Sequence, residues 1–242
     1  MTLIFNLGDP LIVGGADHPA ASYGSFVAGR LDAYAVTEFQ GASRGLQLDM
    51  TPWGAHAFLG VPMHELATVV VPTEDLLGRF GVELTERLAD AGGWQERFDL
   101  LDHAIAARTR GAGPSPDVAY AWERLRRSRG SVAIGELTSA LGCSSRHLNS
   151  RFREQIGVPP KTAARVLRFR RSVDLLGRDD GRRFAEIALD CGYYDQAHLN
   201  REFRELAGTT PGSFLAARLP TGLGTGAEPN VNFVQDGVAM AA

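Results

Sequence analysis

The sequence predicts a two-domain protein. An N-terminal α+β domain, made of a small antiparallel sheet and a helical hairpin, precedes an all-α domain with two helix-turn-helix units. Three observations predict this. The charge changes sign partway along the chain, short apolar runs broken by turn residues give way to apolar positions three or four apart, and the second half contains a diverged internal repeat.

The runs Thr2–Leu7, Leu11–Val13, Ser25–Ala28, Tyr34–Phe39 and Leu46–Met50 are short and apolar, and Gly8-Asp9-Pro10 and Gly14-Gly15 break them. That is the pattern of antiparallel strands joined by turns. Helices take over from Pro52–Leu59, with Pro52 in the first turn, and Pro62–Leu66 is a second short helix. From Glu74, Leu77, Phe80, Leu84 and Leu88 recur at helical spacing; after Gly92-Gly93, Trp94, Phe98, Leu101 and Ile105 do the same. These two amphipathic helices form the hairpin. The cluster Gly111-Ala112-Gly113-Pro114-Ser115-Pro116 breaks the pattern, and the domain boundary is placed there. The expected divisions are 1–113, a sensory or association domain, 114–219, the helical domain, and 220–242, a Gly-rich flexible tail in which Val231–Val234 is a short apolar segment.

Charge supports the same boundary. Residues 1–113 carry seven Arg and no Lys against fourteen Asp and Glu, a net of −7, whereas residues 114–219 carry eighteen Lys and Arg against twelve acids, a net of +6. The chain's overall −3 therefore hides a basic module, and a basic module is a candidate polyanion binder. No apolar run approaches the ~18 residues of a membrane span. Met1–Phe5 leads into Asn6 and Asp9 without the basic start of a signal peptide, so a cytoplasmic protein is expected. Two cysteines, Cys143 and Cys191, exclude a disulfide scaffold and a four-cysteine zinc site. His56, His64 and Glu65 lie close in sequence, but their spacing fits no common metal motif and HExxH is absent. No metal or cofactor is expected, nor any catalytic residue. Trp53, Trp94 and Trp122 are assigned to the core.

The repeat carries the functional reading. Leu137–Gly142 aligns with Ile187–Gly192 at an offset of 50, and Ser144–Glu154 aligns with Asp195–Glu205 at 51, with six of eleven positions identical. The extra residue falls in the turn, where Cys143 alone faces Tyr193-Tyr194. Each unit reads as helix, tight turn, helix: Gly142 and Gly192 end the first helix, and Ser144 and Asp195 cap the second. Leu148 and Phe152, or Leu199 and Phe203, face inward, while Arg146, Ser150 and Arg153, or Ala197, Arg201 and Arg204, project oppositely, with Asn149 and Asn200 on the flanks. An exposed helix offering Arg, Asn and Gln suits a DNA major groove, because Arg pairs bidentately with guanine and Asn or Gln with adenine. A helical repeat with an ordinary solvated face is the competing reading, and duplication of the basic or amide-bearing face argues against it. Between the units Lys161–Leu176 forms one helix, with Val166, Phe169, Val173 and Leu176 as its buried stripe and Lys161, Arg165, Arg168, Arg170 and Arg171 around the rest.

These residues, above all GYYDQAHLNREFRELAGTTPGSF over 192–214, resemble the DNA-binding domain of AraC/XylS bacterial transcriptional regulators. The resemblance covers about Val118–Leu219 and implies two helix-turn-helix units, a linking helix and promoter DNA as partner. It places base reading on Arg146, Asn149 and Ser150 in the first unit and on Gln196, His198, Asn200 and Arg201 in the second. Ser150 stands where the family often carries Arg or Lys, which moves guanine reading to Arg146. Ser144, Arg153, Lys161, Arg165 and Arg204 are the candidate phosphate contacts. Arg44–Leu66 resembles a domain found ahead of this DNA-binding pair in regulators of high-GC bacteria. By that analogy a small-molecule effector, a second copy of the chain and RNA polymerase are candidate partners, and a membrane is not. A helical scaffold that binds protein, and an enzyme domain fused to a DNA-binding module, are the alternatives.

Overall fold

The structure is a computed structural model that describes residues 1–15, 18–29, 35–39, 43–109, 113–178 and 180–216. The expected tail, 220–242, lies outside these residues. Two compact units divide the chain, Met1–Arg170 and a second beginning at Arg171.

The first unit begins with β1 (Thr2–Asn6), β2 (Leu11–Gly15), β3 (His18–Tyr23), β4 (Phe26–Ala28), β5 (Ala35–Phe39) and β6 (Gly45–Asp49). A further strand, β7 (Val70–Pro72), follows later. The strands form two sheets, not the single one expected: β6-β1-β4-β7 and β3-β2-β5, all antiparallel. Two strands escape a periodicity reading. His-Pro-Ala-Ala-Ser-Tyr in β3 lacks alternation and owes its form to pairing with β2, and β7 is a three-residue edge strand that tolerates its terminal Pro72. In β1 alternation does decide the faces: Leu3 and Phe5 point into the core, and β6 pairs in the register Leu3↔Leu48 and Phe5↔Leu46.

Helices α1 (Pro52–Leu59), α2 (Thr73–Leu77), α3 (Arg79–Asp90) and α4 (Trp94–Thr109) cover the four-stranded sheet's core, where Phe58, Leu59, Met63, Leu84, Leu88 and Leu101 are buried with Leu3, Phe5 and Val27. Thr51 caps α1, its hydroxyl accepting from the Gly54 amide at 3.1 Å. The segment expected as a helix at Pro62–Leu66 is a single 3₁₀ turn, Met63–Glu65. The helix expected from Glu74 is broken at Gly78, whose φ of 56° and ψ of −141° only glycine adopts readily. In α4 the expected stripe holds at Leu101, which is buried, and at Ile105, which packs on the core, but not at its start. Trp94 and Phe98 stay 40% and 38% exposed, while Arg97 is buried, its guanidinium donating to Leu88 O at 2.8 Å and Ala91 O at 2.6 Å. Those carbonyls end α3 and lack helical partners, and the buried guanidinium supplies the donors they need. Trp94 is thus not a core residue, and the Arg97 guanidinium lies 5.2 Å from its ring centre.

The rest of this unit is helical: α5 (Pro116–Arg127), α6 (Ile134–Leu141), α7 (Ser145–Ile156) and α8 (Pro160–Leu176), the last running across the division at Arg171. Val118, Ala121, Leu125, Leu137, Leu148, Phe152, Ile156, Ala163 and Ala164 share one buried cluster, and Ala67 from the N-terminal half belongs to it. Trp53 of α1 meets Trp122 of α5 edge-on at 5.7 Å, and Trp122 meets Phe152 of α7 at 6.2 Å. Helix α1 and the 3₁₀ turn both pack against α7. Of the expected stripe on α8, Leu176 is buried while Val166, Phe169 and Val173 are only partly so, and Ala163, Ala164, Ser172 and Leu175 are the other buried positions. The small residues permit close approach: a Cβ on Gly130 would lie 2.1 Å from Ala164 O.

The second unit contains α9 (Phe184–Asp190), α10 (Gln196–Ala207) and α11 (Pro211–Ala216), with α10 packed on both others. Ile187, Ala188, Tyr193, Leu199, Phe203 and Leu206 are buried, and Phe203 meets Phe214 edge-on at 5.7 Å.

Candidate nucleic-acid interface

In the first helix-turn-helix unit α6 ends at Gly142 with φ 61°, and the next amide, of Cys143, donates back to Thr138 O at 3.1 Å. Ser144 then caps α7 in extended geometry, its hydroxyl accepting from the His147 amide at 3.1 Å. Its oxygen is thus already engaged in the cap, although the residue is exposed. Helix α7 buries Leu148, Phe152, Gln155 and Ile156, and leaves Arg146, Asn149, Ser150 and Arg153 exposed. At about 100° per residue those four occupy one outer face. The helix is fixed from behind. The Ser115 amide donates to Gln155 Oε1 at 2.9 Å, and His147 Nε2 lies 3.4 Å from Asp117 Oδ2. Burial pushes the Asp117 carboxyl up, but hydrogen bonding at Ser115 and from the Val118 amide, with Arg151 nearby, outweighs this and holds it below the ordinary carboxylate value.

The second unit repeats the plan. Gly192 has φ 78°, the Tyr193 amide donates to Ala188 O at 2.9 Å, and Asp195 caps α10 by accepting from the His198 amide at 2.7 Å. Leu199, Phe203 and Leu206 face inward and Gln196, Ala197, Arg201 and Arg204 are exposed. Asn200 is half-buried on the flank. His198 is half-buried too: its ring lies edge-on to Tyr193 at 5.2 Å, and its Nδ1 accepts from the Tyr194 amide at 3.4 Å, so it braces the turn.

Of the candidates on α8, Lys161 is exposed and Arg165 half-buried. Arg168, one of the basic residues assigned to the helix surface, is instead turned to the fold, its Nη1 donating to Gly130 O at 3.0 Å. Cys191 is buried and Cys143 half-buried. His56 Nδ1 is 3.0 Å from Val61 O, and among the described residues no group of three His, Cys, Asp or Glu side chains is arranged to hold a metal ion. None of their helices is long and apolar enough to cross a membrane. Three features are absent from the sequence reading: the seat of α7 on α1 and the 3₁₀ turn, the carbonyl-binding role of Arg168, and the solvated Tyr194. Only the length difference between the two turns signals the last of these.

Residues 137–217 match the family described as a helix-turn-helix domain. No curated protein matches the chain. Among solved structures, apo ToxT from Vibrio cholerae strain SCE256, carrying a lysine-to-alanine substitution, is similar at 10% identity and a TM-score of 0.49, over 88% of this chain and 87% of that one. ToxT from Vibrio cholerae O395 gives 8% identity and 0.49 over 88% and 86%; unsaturated fatty acid bound wild-type ToxT from strain SCE256 gives 8% and 0.48 over 88% and 85%. The matched span holds α7 and α10, each following a glycine turn and a side-chain cap, each with its apolar side buried and its basic or amide side open. Residues 137–217 therefore form an AraC-type helix-turn-helix domain, and the chain that carries them is a DNA-binding transcriptional regulator.

Proposed function

We propose that the chain reads promoter DNA with α7 and α10, each set in a major groove. In this reading Arg146, Asn149 and Ser150 of the first unit, and Gln196, Asn200 and Arg201 of the second, face base edges, while His198, expected there too, holds the turn that sets α10 in place. Ser144, Arg153, Lys161, Arg165 and Arg204 contact phosphates. The observation that carries the reading is the matched pair of faces: both helices follow the same turn and cap, and both present Arg beside an amide side chain on the side opposite a fully buried Phe. Selection from randomised duplexes tests it. Wild-type chain should yield two separate sequence blocks, Arg146→Ala should relax one and Arg201→Ala the other, and a chain that enriches no sequence refutes the reading. A protein-binding scaffold would show little affinity for duplex DNA and no steep salt dependence.

The region 1–113 serves as the control domain and 114–219 as the DNA-binding domain. Support for coupling comes from the row Trp53, Trp122, Phe152, which runs from α1 to the anchor of α7, and from Ala67, which shares the buried cluster of α5 to α8. An effector or a second copy of the chain that shifts α1 acts on the first unit through these contacts, and RNA polymerase is the partner that reads the outcome at the promoter. A regulator working this way acts in the cytoplasm. Trp53→Ala in the full chain tests the coupling. It should alter affinity for the sequence block read by α7 and leave the block read by α10 unchanged; equal effects on both blocks refute it.

A further inference from the structure

The two turns share their hydrogen bonding but differ in length. Cys143 and Tyr193 each follow a glycine with positive φ, and each donates its amide to the carbonyl five residues back, Thr138 O at 3.1 Å and Ala188 O at 2.9 Å. They are therefore equivalent positions, and both pack inward, Cys143 against the cluster around Phe152 and Tyr193 at 3% exposure. In the first unit the cap Ser144 comes next. In the second, Tyr194 intervenes before the cap Asp195, so Tyr194 is the extra residue and has no counterpart in the first unit.

Nothing in the turn asks for a tyrosine there. Turns favour Gly, Asn, Asp and Ser for backbone reasons, and a ring 87% exposed contributes almost no burial. Yet its backbone is held firmly. The Tyr194 amide donates to His198 Nδ1 at 3.4 Å, the His198 ring rests on Tyr193, and the next residue, Asp195, is fixed by the His198 amide. A large side chain with a hydroxyl donor is thus presented to solvent from an anchored backbone, immediately ahead of the helix assigned to the groove.

When a recognition helix enters a major groove by its first turn, the residue before its cap passes the groove's edge, where the phosphates lie. Tyrosine hydroxyls are among the side-chain donors that phosphate oxygens accept. We propose that Tyr194 is a positioning residue of the second unit, its hydroxyl donating to a phosphate oxygen at the lip of the groove that α10 enters. This rests on the reading of α10 as a recognition helix. A neutral donor releases no counterion, so the contact adds affinity without adding salt dependence, unlike a contact from Arg204 or Lys161.

The test compares the full-length wild type with Tyr194→Phe and Tyr194→Ala. Binding is measured across a salt series to a duplex recovered by selection and to an unrelated duplex of the same length. Tyr194→Phe should weaken binding to both about tenfold or more, as expected for a lost hydrogen bond to a charged acceptor. The slope of log affinity against log salt and the melting temperature should stay unchanged, and Tyr194→Ala should bind no better than Tyr194→Phe. Wild-type binding by Tyr194→Phe overturns the proposal, whether or not the Ala variant is weak, because the hydroxyl then donates nothing. A loss confined to one duplex, with altered preference at a single base pair, also overturns it in favour of a base contact. Loss of transcriptional output with DNA affinity intact overturns it in favour of a protein contact. A wild-type chain that binds neither duplex refutes the DNA reading itself, a result distinct from every Tyr194 outcome.

Discussion

Replacing Phe152 by alanine separates the inner from the outer face of α7. Phe152 is 0% exposed, lies in the cluster formed with Leu125, Leu137, Leu148 and Ile156, and has its ring centre 6.2 Å from that of Trp122. Removing the ring forfeits roughly 2–3 kcal/mol of apolar burial. If the neighbours collapse only partly and leave about 60 Å³ empty, a further ~1.5 kcal/mol is lost at ~24 cal/mol per Å³. The Trp122 contact adds about 0.5–1.5 kcal/mol. A destabilisation of about 4–6 kcal/mol follows, a large share of the ~5–15 kcal/mol that keeps a domain folded. Urea melts followed by far-UV circular dichroism and by tryptophan fluorescence measure it, the latter because Trp122 loses its neighbour. Arg146→Ala is the paired control: this exposed residue should melt within about 0.5 kcal/mol of wild type while losing DNA affinity. A Phe152→Ala chain as stable as wild type, or an Arg146→Ala chain that unfolds, would mean that the two faces have been interchanged.

Arg146→Ala and Arg201→Ala should each cost about 1–3 kcal/mol on the preferred duplex and relax preference at different base pairs, as selection on randomised DNA would reveal. Lys161→Ala, at an exposed position on the first turn of α8, should weaken binding to all sequences alike and reduce the salt slope by about 0.9. Gly130→Ala should destabilise by more than about 2 kcal/mol in a thermal melt, since the residue has φ 80° and its new Cβ would sit 2.1 Å from Ala164 O, backbone that cannot step aside. Because its native surroundings hold the Asp117 carboxyl below the ordinary value, that group contributes stability above its unfolded pKa and loses it as pH falls through the folded one. The stability gap between wild type and Asp117→Asn should therefore be constant above about pH 4 and shrink below it, which melts across an acid series would show.

Local chemistry made much of this protein legible in its sequence. The strand run over Thr2–Leu7, the Ser144 and Asp195 caps, the glycine turns and the inward rows Leu148–Phe152 and Leu199–Phe203 all depend on residues close together in the chain. Such features are present wherever the residues are, and the internal repeat doubled the signal by presenting them twice. The sequence also determined which side of α7 and α10 stays open, because a helix with Leu and Phe at one azimuth and Arg and Asn at the other has only one stable way to face a core.

Contacts between distant residues decided the rest. The second sheet depends on the pairing of β3 with β2, which a six-residue stretch without alternation, holding Pro and two Ala, does not announce. Arg97 is buried because the carbonyls at the end of α3 lie across the hairpin and need a donor. Arg168 left the helix surface for Gly130 O, and α7 found its seat on α1 and the 3₁₀ turn, through packing that no period encodes. Tyr193 and Tyr194 show the division most plainly. The two are neighbours of identical chemistry in one turn, yet one is buried at 3% exposure and the other solvated at 87%. The repeat revealed that one of them is extra, but only the closure of the turn, through the Ala188 carbonyl and the His198 ring, selected which ring goes inside.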